Sequence, residues 1–366
     1  MSEFHLESGS EYLQEEISRV DVDEILSACV AAGASDIIVS EFEGAWILKL
    51  GVVEVLESLT ADKARNLFFA ILDRMHTEPA ALRGGAVETS FTLAGQRFRV
   101  SAFEEVGGGR IVLRVLSRNI PTPEEINIPQ ILLDSVTRLS QGMILLCGPT
   151  GCGKTTSIAS VLYARGKNKK EHVVTLEDPV EYLMPHDVSS IYSQREIGRD
   201  EPTFAQGLKA ALRQSPHVIV IGEIRDSETA CTALEASETG HLVVATIHAT
   251  SSDMTIQRYV QMIERERQDL VREQLATNVE LIVCQRLCKA EGGYRGRVAI
   301  HEVMIKTHAT TNCIRKGQAA ELRNEIVYGA KKGHITFERS IKRLQESGRI
   351  SPSEHGEMMA WLYPQE

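Results

Sequence analysis

Three features of the sequence predict an α/β fold, a doubly wound parallel sheet preceded by a smaller α+β domain. Beyond residue 130, short apolar strands alternate with amphipathic helices, the βα pattern of a parallel sheet covered on both faces. One of those strands, Met143 to Cys147, empties into a glycine-rich loop that opens a helix. Upstream, the elements run helix, strands, helix, strands, and Pro121, Pro123 and Pro129 stiffen the stretch between the two regions.

In order, residues 1–20 are polar and acidic without periodicity and read as a flexible arm. Val22, Ile25, Leu26, Cys29 and Val30 recur at helical spacing, and Gly33 closes that helix. Ile37 to Val39 and Trp46 to Leu50 read as strands. Thr60 caps a helix whose apolar face carries Leu67, Phe68, Ile71, Leu72 and Met75. Strands follow at Glu88 to Leu93, Arg97 to Phe103 and Ile111 to Leu116. The domains are therefore expected at 21–118 and 130–366, joined by a proline-rich linker at 119–129. In the second domain, strands are expected at Met143–Cys147, His172–Leu176, His217–Ile221 and Leu242–Thr246. From about Ile300 the chain reads as mostly helical, over Ala319 to Tyr328 and Phe337 to Glu346.

The loop Gly148-Pro149-Thr150-Gly151-Cys152-Gly153-Lys154-Thr155 matches G-x-x-x-x-G-K-[ST] at every fixed position. Its glycines let the backbone turn so that successive N–H groups converge on phosphate oxygens. Lys154 is expected between the β- and γ-phosphates, the Thr155 hydroxyl on Mg²⁺, and Thr156 beside them. Ile158, Ala159, Val161 and Leu162 then give helical spacing, which puts the phosphates at a helix N-terminus. These residues point to a nucleotide site.

Two later strands end in carboxylates. His217 to Ile221 leads through Gly222 to Glu223, placed to hold Mg²⁺ through water or to orient an attacking water. Arg225-Asp226 follows and reads as the cap of the next helix. Val173 to Leu176 leads to Glu177, Asp178 and Pro179; Glu177 suits a general base or water-positioning group and Asp178 suits the turn, or the two carboxylates exchange those roles. His241 and His248 bracket the strand Leu242–Thr246 at opposite ends, so they cannot share a metal. His248 falls at the edge where the phosphates are expected and is a candidate γ-phosphate sensor, or a structural hydrogen-bonding histidine.

Hydrophobic residues make up 43% and charged residues 25%, ordinary for a globular chain. A net charge of −10 with 5% aromatics argues against a nucleic-acid surface or a base-stacking platform. The seven cysteines are scattered and form no C-x-x-C pair, so neither a zinc module nor a disulfide framework is expected. Cys284 and Cys288 sit on what reads as a helix leading into a strand. The N-terminus lacks a basic start and apolar core, and no apolar span is long enough to cross a bilayer, so a cytoplasmic protein is expected.

Four stretches fall in one order: Gly148–Thr155, Thr175–Tyr182, Val220–Asp226 and Glu238–His248. That order resembles the Walker A, Asp box, Walker B and His box of the secretion-superfamily ATPases, and within them the PilT-type retraction ATPases of type IV pili. Gln194-Arg195-Glu196 and Ala211-Leu212-Arg213 fit as well, and the resemblance runs from about Val22 to Ile350. It implies a hexameric ring motor with a PAS-like N-terminal domain and a RecA-like P-loop NTPase core, using ATP and Mg²⁺. It implies roles on the nucleotide for His241 and His248. It also implies that Arg97, Arg99, Arg114 and Arg213 stabilise charge on the γ-phosphate in cis or in trans.

The late motif linked with retraction is partly echoed by Thr311 to Lys316, and the stretch after Ser35-Asp36 departs from the family pattern. The short, zinc-free layout resembles retraction motors and the DotB/TraJ-type ATPases of type IVB secretion and conjugation. The expected work is pilus retraction at an inner-membrane platform protein, with the protein held peripherally through the pilus machinery. The alternatives are a secretion or conjugation ATPase, or a non-hydrolysing regulator of such a motor.

Overall fold

The computed structural model describes residues 21–49, 52–93, 95–290 and 292–363. The expected arm, residues 1–20, lies outside them. The chain divides into two compact units, Met1–Arg118 and Asn119–Glu366.

In the first unit, helix α1 (Val22–Ala31) precedes strands β1 (Asp36–Ser40), β2 (Gly44–Lys49) and β3 (Val52–Val55). Helix α2 (Ala61–Arg74) follows, then β4 (Val87–Leu93), β5 (Gln96–Glu105) and β6 (Gly108–Val115). Asp21 caps α1 and Thr60 caps α2, each accepting a backbone N–H three residues on. The six strands form one antiparallel sheet in the order β3-β2-β1-β6-β5-β4. Its core joins Leu26 of α1, Leu67, Phe68 and Ile71 of α2, and Ile37, Phe98 and Leu113 of the strands. Strand β3, whose residues are all exposed, carried no readable signal in the sequence because neither of its faces is buried.

The second unit begins with α3 (Gln130–Arg138) and β7 (Gly142–Cys147), followed by α4 (Lys154–Asn168), β8 (His172–Glu177), β9 (Ile191–Glu196) and α5 (Phe204–Ala211). Next come β10 (Val218–Ile221), α6 (Ser227–Glu238), β11 (Leu242–Ile247), α7 (Ser252–Gln261) and α8 (Gln268–Asn278). A long hairpin, β12 (Val279–Lys289) and β13 (Arg297–Ile305), leads into α9 (His308–Arg315), α10 (Ala319–Tyr328), α11 (Phe337–Glu346) and α12 (Pro352–Leu362). The sheet order is β13-β12-β7-β11-β10-β8-β9, parallel except for β13.

Every residue of β7 is buried. Met143 and Leu145 pack into one apolar layer, with helices α6 to α8; Ile144 and Leu146 pack into the other, with α3 and α4. Both faces are covered, which is why this strand reads as a continuous apolar run. The second layer is anchored by Arg165 of α4, itself fully buried. Its guanidinium grips Glu171 with two bonds of 2.6 and 2.9 Å, and it donates to the carbonyls of Val136 and Leu139 at the end of α3.

Two expectations about cysteines are corrected. The segment carrying Cys284 and Cys288 is strand β12, not a helix leading into a strand. Cys284 and Cys147 are register partners on neighbouring parallel strands and are joined as a disulfide. Their separation of 137 residues hid the pair from any spacing argument. The helical region also starts later than Ile300, because β13 runs to Ile305.

Arg165→Ala removes five donors and leaves the half-buried Glu171 without its bidentate partner. A loss of about 3 kcal/mol is expected in equilibrium denaturation. A loss below about 1 kcal/mol would show that the pair is not an anchor.

Candidate functional site

Strands β7, β11, β10 and β8 lie side by side and point the same way, so their C-termini share one edge of the sheet. That edge carries the glycine-rich loop after Cys147, His248 after β11, Glu223 after β10, and Glu177 at the end of β8. The strand order also changes direction at β7, where β8 lies to one side and β12 to the other. A crevice at such a point is where ligands bind in open α/β sheets.

The loop is built by backbone conformations that side chains resist. Gly148 has φ +147°, and a Cβ there would lie 2.3 Å from the Gln285 carbonyl oxygen and 2.6 Å from Cys152 Sγ. Gly151, at φ +77°, faces open space. Gly153 stands as the left-handed N-cap of α4, which leaves the first N–H groups of that helix without side-chain caps and free to meet an anion.

Lys154 is buried, and its Nζ donates to the carbonyls of Gly148 (2.8 Å) and Pro149 (3.1 Å). Burial lowers its pKa, while Cys152 and the Glu223 carboxylate oppose that shift. The ammonium is thus held over the loop, as the motif requires.

Glu223 sits between Arg225 and His248: Arg225 Nη2 lies 2.6 Å from Oε2 and His248 Nε2 lies 3.1 Å from Oε1. Arg225 also reaches towards Asp178, at 3.9 Å, and Glu223 raises the Arg225 pKa. Glu177 Oε1 accepts from Thr175 Oγ1 (2.6 Å) and from Gln194 Nε2 (3.2 Å). Thr155, Glu177, Gly222, Thr246 and Gln194 line one cavity. Thr246 Oγ1 donates to the Gly222 carbonyl, which ties β11 to the turn before Glu223. Thr156 Oγ1 lies 3.1 Å from Tyr182 OH. Two carboxylates, a lysine, a histidine and a ring of N–H donors on one edge can bind a polyphosphate and orient water against it.

Mg²⁺ prefers one or two carboxylates with water and substrate phosphate. The Thr155 hydroxyl and Glu223 supply that kind of set. Among the described residues, no cluster of three or more His, Cys, Asp or Glu side chains could hold an ion by itself.

Other expected residues lie elsewhere. His241 is not at this edge. Its carbonyl accepts from Gly142, the first residue of β7, so it stands five strand residues, roughly 16 Å, from the end of β7. Its ring contacts the Ala236 carbonyl and Thr239 Oγ1. Within this chain, strand β11 separates it from the loop. Arg213 is exposed after α5 and before β10, on that same far edge.

Arg97, Arg99 and Arg114 belong to the first unit. Arg99 and Arg114 are register partners on β5 and β6 and are paired with Glu88 (2.7 Å) and Asp36 (2.9 Å). Arg97 is buried and donates to Ser90 Oγ at 2.6 Å. Of Arg225-Asp226, only Asp226 caps α6, through Thr229 N (2.8 Å). Arg225 and Gln194 were missed as site residues because each gains its role only through a contact distant in sequence, or through a turn whose direction the sequence does not show.

A family model described as "Type II/IV secretion system protein" matches residues 12–351. The chain is 35% identical to the type IV pilus retraction ATPase PilT of Pseudomonas aeruginosa, over 91% of this chain and 96% of that one. It is 33% identical to a twitching motility protein of Neisseria gonorrhoeae, over 81% of this chain and 79% of that one. Among solved structures, the pilus retraction motor PilT with bound ADP superposes at a TM-score of 0.82. That match is 34% identical and covers 93% of this chain and 97% of that one. The ATPase DotB of Legionella pneumophila superposes at 0.78, at 25% identity, over 93% and 95%.

The two loop glycines make a stability prediction. Gly148→Ala drives a Cβ into the Gln285 backbone and is expected to cost about 3 kcal/mol. Gly151→Ala meets only the left-handed penalty, about 1 kcal/mol. Equal losses in denaturant titrations would contradict the loop geometry.

Proposed function

The chain belongs to the type II/IV secretion system protein family, and from that premise we propose that it is a hexameric motor hydrolysing ATP to power type IV pilus retraction. The observation that carries this reading is the near full-length match to PilT together with an intact hydrolytic edge: Lys154, Glu177 and Glu223 are all present and converge.

ATP would lie with its phosphates on the loop N–H groups of Gly148 to Thr156 and on Lys154. Mg²⁺, held by Thr155 and, partly through water, by Glu223, would neutralise charge on the β- and γ-phosphates. Glu177, fixed by Thr175 and Gln194, is placed to orient or deprotonate the attacking water. His248 is bonded to Glu223, so a change at the γ-phosphate reaches the end of β11 through that pair. Arg97, Arg99 and Arg114 would stabilise charge from the first unit, in cis or in trans. Arg213 and His241, on the far edge of the sheet, could serve only a neighbouring subunit's nucleotide.

We assign 21–118 as a PAS-like domain, 119–129 as the linker and 130–366 as the RecA-like ATPase domain. The motor would act in the cytoplasm, peripherally at the inner membrane on a pilus platform protein. Among the described residues, no helix is long and apolar enough to cross a membrane. A second reading, a type IVB secretion or conjugation ATPase, is favoured by the DotB superposition. Neighbouring genes for pilins or for conjugation components separate the two. A non-hydrolysing regulator would not need all three of Lys154, Glu177 and Glu223.

Lys154→Ala is expected to abolish turnover, measured as phosphate release. Glu177→Gln and Glu223→Gln should keep ADP affinity within about threefold while turnover falls at least about a hundredfold. Normal turnover in Lys154→Ala would overturn the site. Loss of ADP binding in both glutamine variants would overturn the water-handling roles.

A further inference from the structure

The loop's shape depends on a strand that contains none of its residues. Strand β12 pairs with β7 so that Cys284 stands opposite Cys147. The next residues are Gln285 and Gly148, whose backbones approach closely enough to exclude any Cβ at Gly148. The Gln285 side chain, 2% exposed, then runs under the loop. Its Nε2 donates to the Cys152 carbonyl at 2.6 Å, and its Oε1 accepts from Ser157 Oγ, in the first turn of α4, at 2.7 Å. Gly153 is also close: a Cβ there would lie 3.1 Å from Gln285 Nε2. One buried amide thus touches both the middle of the loop and the helix that follows it.

His301 of β13 is the register partner of Gln285, and its Nε2 lies 3.3 Å from Gln285 Oε1. Burial pushes the His301 pKa down to about 3, so the ring is neutral at ordinary pH. A neutral ring with its proton on Nε2 donates to Oε1 alongside Ser157. Turning the amide over would set its oxygen against the Cys152 carbonyl and leave two acceptors face to face. The Cys152 carbonyl, which can only accept, therefore sets the direction of the amide, and Ser157 and His301 meet its oxygen.

We propose that Gln285 is a positioning residue of the nucleotide site: it holds the loop in its phosphate-binding shape from β12, with its amide seated against Ser157 and His301. The proposal rests on reading the loop as an ATP site. Gln285 meets loop backbone and helix, not phosphates or reacting atoms. Its loss loosens the free loop, and the binding energy of the nucleotide must then restore it. Affinity falls, whereas turnover at saturation is largely kept.

The test uses the full chain. Wild type, Gln285→Leu, Ser157→Ala and Lys154→Ala are compared by calorimetric titration with Mg·ADP and by steady-state ATP hydrolysis. Gln285→Leu is expected to raise the ADP Kd and the ATP KM about tenfold, with kcat within about threefold of wild type. Ser157→Ala, which removes one bond to the amide, should raise both by roughly threefold, and it decides the question if Gln285→Leu does not fold. Unchanged Kd and KM in the folded variants would overturn the proposal. So would a fall in kcat at constant KM, the mark of a smaller folded fraction. Absent ADP binding in wild type, or normal binding and turnover in Lys154→Ala, would overturn the nucleotide reading itself.

Discussion

The parallel register of β8, β10, β11, β7 and β12 is the constraint on which the rest of this site depends. Each strand is pinned to its neighbour by backbone pairing and buried on both faces, so none can slide without exposing apolar residues. The strand ends are therefore fixed relative to one another. Glu177, Glu223 and His248 need no further scaffold to meet the loop. Gln285 is carried to the back of the loop by the same pairing, from a strand more than a hundred residues later in the chain.

Charge on that edge is arranged in close partners rather than left as a bare field. Glu223 is bracketed by Arg225 and His248, Glu177 by Thr175 and Gln194, and Lys154 by two loop carbonyls. Such groups are oriented before a substrate arrives, which lowers the reorganisation needed at the moment of reaction. The partners also link strands: Arg225 joins the ends of β10 and β8, and Thr246 joins β11 to the turn after β10. A phosphate that displaced one partner would alter several strand ends together. That is the coupling a motor requires between its nucleotide and its body.

Much of this was legible in the sequence, because buried parallel strands read as apolar runs and the loop has fixed positions. The carboxylates were found because each ends such a run. What escaped had no local signal. Strand β3 is exposed on both faces; β12 was read partly as helix because a short apolar run does not fix its own period. Gln285 was visible only as a polar residue at the end of the run Leu281 to Cys284, and its partners lie on three other elements.

The central claim is that ATP turnover at this loop does mechanical work on a pilus. The most direct measurement is pilus-dependent twitching and surface pilus abundance in a deletion strain, complemented with wild type or with Lys154→Ala. Hyperpiliated, non-twitching cells rescued by wild type and not by Lys154→Ala are expected. Unchanged pili and twitching, or rescue by Lys154→Ala, would contradict that claim.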